Sequence, residues 1–188
     1  VYAQCAFDRP MSVCWHDRIV FRDSSARHTL AGGLVLDIDP PTRGRKKAER
    51  IKVLDHLNEE QALDVLGHLL QEGTSPLCLS TWVAAINQMI EPLIEHAQKL
   101  GALQLDVGGL IYLLGTTSQG EIWKKVEASL SKFHANDSDE PGVAIERLRR
   151  MACPLISTEL FKVWVAEQIR LKSLAISGSF IHLTDHKV

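Results

Sequence analysis

Apolar positions along the chain change rhythm near residue 40. Before that point they alternate with polar ones, as strands do. Ser12–Cys14 and Arg18–Arg22 flank a His16-Asp17 turn, and Arg18-Ile19-Val20-Phe21-Arg22 has charged ends around an apolar middle. Asp23-Ser24-Ser25 is a turn cluster, and Arg27–Asp39 continues as strand. Within it, the paired glycines of Ala31-Gly32-Gly33 predict a bulge or a close backbone approach. Three or four strands cannot bury a core alone. The segment is therefore expected either to end a β-barrel begun elsewhere or to lie against the helical part of the chain. Pro40-Pro41 stops the strand, because proline cannot donate to the ladder.

Helical spacing then takes over. Ile51, Leu54 and Leu57 line one face, and Glu59–Gln71 repeats the pattern with Ala62, Val65, Leu66 and Leu69 before Gly73. Leu79–Asn87 forms a further helix through Trp82, Val83 and Ile86. Pro92 opens another, with Leu93, Ile94, Ala97 and Leu100 apolar and Gly101 placed to close it. Ala102–Leu105, the turn Asp106–Gly109 and Leu110–Leu114 read as a hairpin.

The order then recurs. Ser118-Gln119-Gly120-Glu121 has the form of a capping box, ahead of Ile122, Trp123, Val126, Leu130 and Phe133. A polar loop, His134–Glu140, leads to Pro141 and a short helix carrying Ile145, Leu148 and Ala152. Ser157 is placed to cap a helix through Leu160, Phe161, Trp164, Val165 and Ile169. A second hairpin comes next, Leu174–Ile176 and Phe180–Leu183 around Ser177-Gly178-Ser179. Leu103-Gln104-Leu105 overlays Leu174-Ala175-Ile176, and Leu110–Leu113 overlays Phe180–Leu183, at a period of about 70 residues. Three helices and a two-stranded wing, repeated, is the winged-helix plan. The expected fold is mainly α with small β wings: tandem winged-helix modules preceded by strands from the end of a β-barrel. The expected division is 1–40 (terminal barrel strands), 41–116 (basic linker and first module) and 117–188 (second module).

Charge separates the two modules. The whole chain is near balance, −2 over 188 residues. Residues 58–116 carry Lys99 alone against Glu59, Glu60, Asp64, Glu72, Glu91, Glu95 and Asp106. The third helix of a winged helix that grips nucleic acid usually carries cations, since neutralising phosphates supplies most of the affinity. Here that helix presents Glu91 and Glu95, so the first module is expected to act as a spacer or protein contact. A DNA-binding regulator is the alternative reading, and the first module fails its electrostatic requirement. Candidate phosphate contacts lie elsewhere: Arg43, Arg45, Lys46, Lys47 and Arg50 in the linker, and Arg147, Arg149, Arg150, Lys162, Arg170 and Lys172 in the second module. The bland alternatives are a solubilising hinge and a solvated face.

Ready-made catalytic patterns fail on inspection. Gly115–Gly120 has the glycine spacing of a phosphate-binding loop, but Glu121 and Ile122 stand where lysine and serine or threonine should come. Asp106-Val107-Gly108-Gly109 matches a DxxG pattern, but lies where a hairpin needs turn residues. No GxSxG or CxxC occurs, and the eight histidines are scattered, each expected to be solvated or packed. Cys5, Cys14 and His16 lack the tight pairing of a zinc site, so no metal is expected, and Cys5, Cys14, Cys78 and Cys153 are expected to be reduced thiols in apolar surroundings. A reducing, cytoplasmic setting fits them. No apolar run approaches the ~20 residues of a membrane-spanning helix. The chain opens on Val1 with no signal-like pattern and is expected to be an internal or C-terminal piece of something longer.

Arg22-Asp23-Ser24-Ser25-Ala26-Arg27, Thr29-Leu30-Ala31-Gly32-Gly33-Leu34-Val35-Leu36-Asp37, Pro40-Pro41 and Arg43-Gly44-Arg45-Lys46-Lys47-Ala48-Glu49-Arg50 together resemble the bacterial selenocysteine-specific elongation factors, the SelB family. The match is dense over about residues 11–50, with Ala31 and Ala48 where members often carry Gly and Pro. The resemblance implies a full-length GTPase that delivers selenocysteinyl-tRNA to the ribosome, with winged helices that bind the selenocysteine-insertion hairpin in mRNA. GTP and Mg²⁺ would belong to a GTPase domain absent from this chain, so no cofactor and no catalytic residue carry over. The resemblance makes this segment an arm between the tRNA-bearing body and the mRNA-bound tip. Its partners would be that hairpin, the tRNA and the ribosome, with no membrane, and the chain would be a monomer.

Overall fold

The computed structural model describes residues 1–38, 40–59, 61–136 and 139–186. β1 (Arg18–Arg22) and β2 (Thr29–Leu34) form an antiparallel ribbon. The strand expected at Ser12–Cys14 is absent. Those residues instead enter a tight turn, in which the Cys14 N–H donates to the Asp17 carboxylate at 2.7 Å and the Asp17 N–H returns to the Cys14 carbonyl. The bulge falls at Phe21/Arg22 rather than at the glycines, where added side chains would meet only ordinary contact or open space. Every residue of β2 is exposed, and Val20, Leu30 and Leu34 face solvent. The ribbon has no covering layer of its own. It is tethered to the helical body through Trp15, whose backbone N–H bonds to the Ala85 carbonyl and whose indole N–H donates to the Leu57 carbonyl at 2.8 Å.

The helical body opens with α1 (Ala48–Glu59), followed by α2 (Ala62–Glu72), β3 (Leu77–Cys78), α3 (Leu79–Ile86), α4 (Ile90–Lys99), β4 (Leu103–Val107) and β5 (Leu110–Leu114). The series from α2 onward recurs as α5 (Thr116–Asn136), β6 (Val143–Ala144), α6 (Ile145–Ala152), α7 (Thr158–Arg170), β7 (Leu174–Ser177) and β8 (Phe180–Leu183). The sheets have matching orders, β3-β5-β4 and β6-β8-β7, all antiparallel. These are tandem winged helices. The helices before each wing end alike. After α4, Gly101 adopts φ 73°, its N–H bonds to the Gln98 carbonyl, and the Ala102 N–H reaches Ala97. After α7, Lys172 adopts φ 59° with bonds from Lys172 to Ile169 and from Ser173 to Gln168. Both closures use a left-handed residue to satisfy the last carbonyls.

Several boundaries move. β3 and β6 have two residues each, too few to show an alternation. α4 begins two residues before Pro92, which sits in the first turn, where a missing N–H costs nothing. α5 begins at Thr116, ahead of the expected capping box. Only Gly115 separates it from β5, so Ser118 lies inside the first turn, buried, with its hydroxyl donating to the Gly115 carbonyl at 3.0 Å. At its far end α5 runs through His134 to Asn136, because Leu130 and Phe133 extend the helical stripe into the expected loop; Asp137 and Ser138 of that loop lie outside the described residues. The hairpins superpose through Leu113 and Ile181, which pair with Leu77 and Val143 of their own modules. The register counterpart of Ile176 is therefore Gln104, not Leu105. The first hairpin is longer, with five pairs against four.

Two apolar clusters hold the body. One gathers Leu66, Leu70, Leu79, Ile86, Leu93, Ala97 and Leu113, with Trp15 against its edge. The other gathers Ile122, Val126, Leu130, Val143, Leu148, Phe161, Trp164, Leu174 and Ile181, together with Leu105 and Leu114 of the first wing. Neighbouring residues of a strand point to opposite faces. Leu113 thus enters the first cluster and Leu114 the second. Leu103, Leu105, Val107 and Tyr112 join Leu114 on the outer face, against the second module. The junction is close: a Cβ on Gly115 would fall 1.7 Å from the Leu70 carbonyl oxygen of α2. Beside it the Thr117 hydroxyl donates to the Gln71 carbonyl.

Candidate nucleic-acid interface

The expected cations separate into bound and free. In the linker, Arg43, Arg45, Lys46 and Lys47 are exposed, and the Lys47 side chain folds over Gly44. Arg50 is different. Its guanidinium lies 2.6 Å from Asp37, at 17% and 24% side-chain exposure, and ties α1 to the segment after β2. It is a structural pair rather than a free charge.

In the second module the arginines of α6 serve the fold. Arg149 makes a bidentate pair with Glu146 at 2.7–3.1 Å and donates to the carbonyls of Pro154 and Ile156. It thereby satisfies carbonyls in the turn between α6 and α7. The Glu146 hydrogen bond, with its charge, holds the Arg149 guanidinium above its usual range, and Arg149 in turn holds the Glu146 carboxyl below its own. Thr158 at the start of α7 adds a bond to Glu146, and Arg150 reaches the same carboxylate at 4.0 Å. Arg147 is exposed and packs over the Phe133 ring at 5.3 Å. On α7, Arg170 pairs with Glu167 at 2.6 Å, which lowers the carboxyl of Glu167. Lys162 and Lys172 are exposed. The structure therefore does not assemble the eleven expected cations into one patch. Of those eleven, the exposed ones that pair with no carboxylate among the described residues are Arg43, Arg45, Lys46 and Lys47 in the linker and Arg147, Lys162 and Lys172 in the second module.

The first module presents the opposite sign. Glu91 and Glu95 are exposed on α4 while Leu93 and Ala97 are buried. Phosphate would meet carboxylates there. Nor can the chain cradle a nucleotide at Gly115–Gly120. The glycine is packed against Leu70, the Ser118 hydroxyl is used on Gly115, and Glu121 and Ile122 occupy the positions that would serve phosphate and Mg²⁺. Asp106 lies in β4, and its carboxylate accepts from the Gly109 N–H across a turn in which Gly108 and Gly109 both have positive φ.

The cysteines are unpaired. Cys153 is buried, which raises its thiol pKa, Cys14 and Cys78 are half-buried, and Cys5 is exposed rather than in apolar surroundings. The histidines are less scattered than their numbering suggests. His134 stacks on His186 at 3.6 Å, with His182 nearby; burial, then the neighbouring histidines, lower its pKa. His56 of α1 stacks on His68 of α2 at 3.8 Å, beside Glu72. Only the spacing of His68 and Glu72, one helical turn apart, was open to view in the sequence.

Residues 1–42 match the family described as selenocysteine-specific elongation factor, beta-barrel domain, and residues 128–183 match elongation factor SelB, winged helix. The selenocysteine-specific elongation factor of Escherichia coli (strain K12) is 33% identical over 186 residues, covering 98% of this chain and 29% of that protein. That of Haemophilus influenzae (strain ATCC 51907 / DSM 11121 / KW20 / Rd) is 23% identical, covering 99% of this chain and 29% of that protein. The chain thus spans under a third of the length of these relatives. A crystal structure of bacterial selenocysteine-specific elongation factor EF-Sec shares the fold, with TM-score 0.58 and 23% identity over 91% of this chain and 26% of that one. No helix among the described residues is long and apolar enough to cross a membrane. The barrel-end ribbon, the tandem winged helices and these matches agree: the chain belongs to the selenocysteine-specific elongation factor (SelB) family and comprises part of its winged-helix region.

Proposed function

We propose that this chain is the arm of a selenocysteine-specific elongation factor, joining a GTPase body that carries selenocysteinyl-tRNA to a tip that holds the selenocysteine-insertion hairpin of the mRNA. Its units are residues 1–40, 41–116 and 117–188, and it works as a monomer in the cytoplasm, with GTP and Mg²⁺ held elsewhere in the protein. It does no chemistry itself; it sets distance and angle. One observation carries the reading: the first wing is built into the core of the second module, so the modules move as one body. The exposed carboxylates of α4 support it, since a surface that repels phosphate suits a spacer better than a reader. The free cations at residues 43–47 and at Arg147, Lys162 and Lys172 supply weak contacts to tRNA, mRNA or ribosomal phosphates.

Salt-titrated binding of the 188-residue chain to a selenocysteine-insertion hairpin and to a scrambled hairpin tests this. Weak binding to both, lost as salt rises and reduced by neutralising Arg43, Arg45, Lys46 and Lys47, is the expected outcome. Nanomolar affinity for the cognate hairpin alone overturns the spacer reading.

A further inference from the structure

We infer that His56, His68 and Glu72 form a binding site for a divalent transition-metal ion of the zinc type, which clips α1 to α2. One ligand atom from each of the three lies within 4.8 Å of the others. The residues come from two helices. His56 is in the last turn of α1, and His68 and Glu72 are one turn apart on α2, where i and i+4 side chains share a face. The helices on which the site rests are joined by a short connection.

The donor set selects the ion. Two imidazole nitrogens and one carboxylate oxygen suit zinc and its neighbours, whereas Mg²⁺ and Ca²⁺ take oxygen. Zinc bonds of about 2.0–2.2 Å at tetrahedral angles require donors about 3.3 Å apart. Reaching it from the observed spacing requires the side chains to rotate toward one another. The imidazoles are stacked 3.8 Å apart at 13°, and since a metal lies in the plane of each ring, binding would require them to unstack. Both histidines are half-buried and Glu72 is exposed, which leaves the fourth position open to water.

A resident cation already marks the carboxylate. The Lys52 ammonium lies 2.6 Å from Glu72, at 59% exposure, and its flexible stem lets it leave. Lys52 is thus the competitor that the metal displaces. The ion would fix the angle between α1, which comes after the basic linker, and the first winged helix. This site does not depend on the RNA reading, and its readouts are separate.

Chelator-treated 188-residue chain is titrated with ZnCl₂ by calorimetry at pH 7.5, with CoCl₂ absorption as a report on geometry. One equivalent is expected to bind, with tetrahedral cobalt bands. At about 100 times Kd, zinc is expected to raise the unfolding midpoint by about 5 °C, while MgCl₂ leaves it unmoved. His56→Ala with His68→Ala abolishes uptake, and Glu72→Gln weakens it about tenfold or more. Lys52→Met, on the surface and safe for folding, tightens it by removing the competitor. No saturable zinc uptake, uptake unchanged in the double histidine variant, an equal shift with Mg²⁺, or unaltered affinity in Lys52→Met would each overturn the assignment.

Discussion

The two winged helices share one chain order and differ in which way the first strand of the wing faces. In β4 the apolar residues Leu103, Leu105 and Val107 turn away from their own module, leaving Gln104 and Asp106 exposed. In β7, Leu174 and Ile176 lie on the same face as Ile181 of their own module, and the outer face carries Ala175 and Ser177. A strand has period two, so a one-residue change of phase moves its whole apolar set to the other side of the sheet. That shift makes the first wing a double-sided element, whereas the apolar face of the second wing serves its own module. One repeat is built to be built upon.

Charge divides along the same line. The first module shows carboxylates on its third helix, and the second distributes arginines that mostly pair within the fold. The sequence alone suggests a weakly cationic second module. Glu146 and Glu167 remove Arg149 and Arg170 from that account.

The strongest way to break the comparison is at the junction. Gly115→Ala places a methyl 1.7 Å from the Leu70 carbonyl oxygen, and backbone cannot yield as a side-chain tip does. A loss of about 3 kcal/mol or more is expected, with one unfolding transition splitting into two as the modules separate. A single transition at the parent midpoint would show that the modules do not depend on this contact. Next in size is the wing face. Leu105→Ala should cost about 2–4 kcal/mol by leaving a cavity against the second module. Its neighbour Gln104→Ala, exposed and on the opposite face, should change stability by less than about 0.5 kcal/mol in denaturant titrations. Equal effects would erase the phase argument. The smallest effect concerns the helix ends, where Gly101 and Lys172 hold the same left-handed position. Lys172→Gly should stabilise by about 1 kcal/mol, since a residue with Cβ meets a steric penalty there. If Lys172 also touches phosphate, its loss lowers RNA affinity without lowering the unfolding midpoint.

Much of the architecture could be read directly. Long elements announce themselves by spacing, as α7 does through Leu160, Phe161, Trp164 and Val165 after the Ser157 cap, whose hydroxyl accepts from the Leu160 N–H. Gly101 was legible as a helix end because so few residues adopt its conformation. What escaped was long-range. Two-residue strands carry no period, and the passage of α2 beside Gly115 leaves no mark in the sequence, although Glu121 and Ile122 already exclude a phosphate loop there. The candidate interface was legible only as a set of cations. Which of them are engaged by Asp37, Glu146 and Glu167 depends on partners brought in by folding, and Arg150 and Arg149 differ in role though adjacent. The pairing of His56 with His68 likewise needed the packing of α1 on α2.

The outward-facing β4 also bears on ancestry. Two halves descended from one duplicated unit would ordinarily be free to drift or be exchanged with cousins. Here they are not, because the leucines of one half have become the floor of the other. A foreign second half would have to offer those leucines a matching α7.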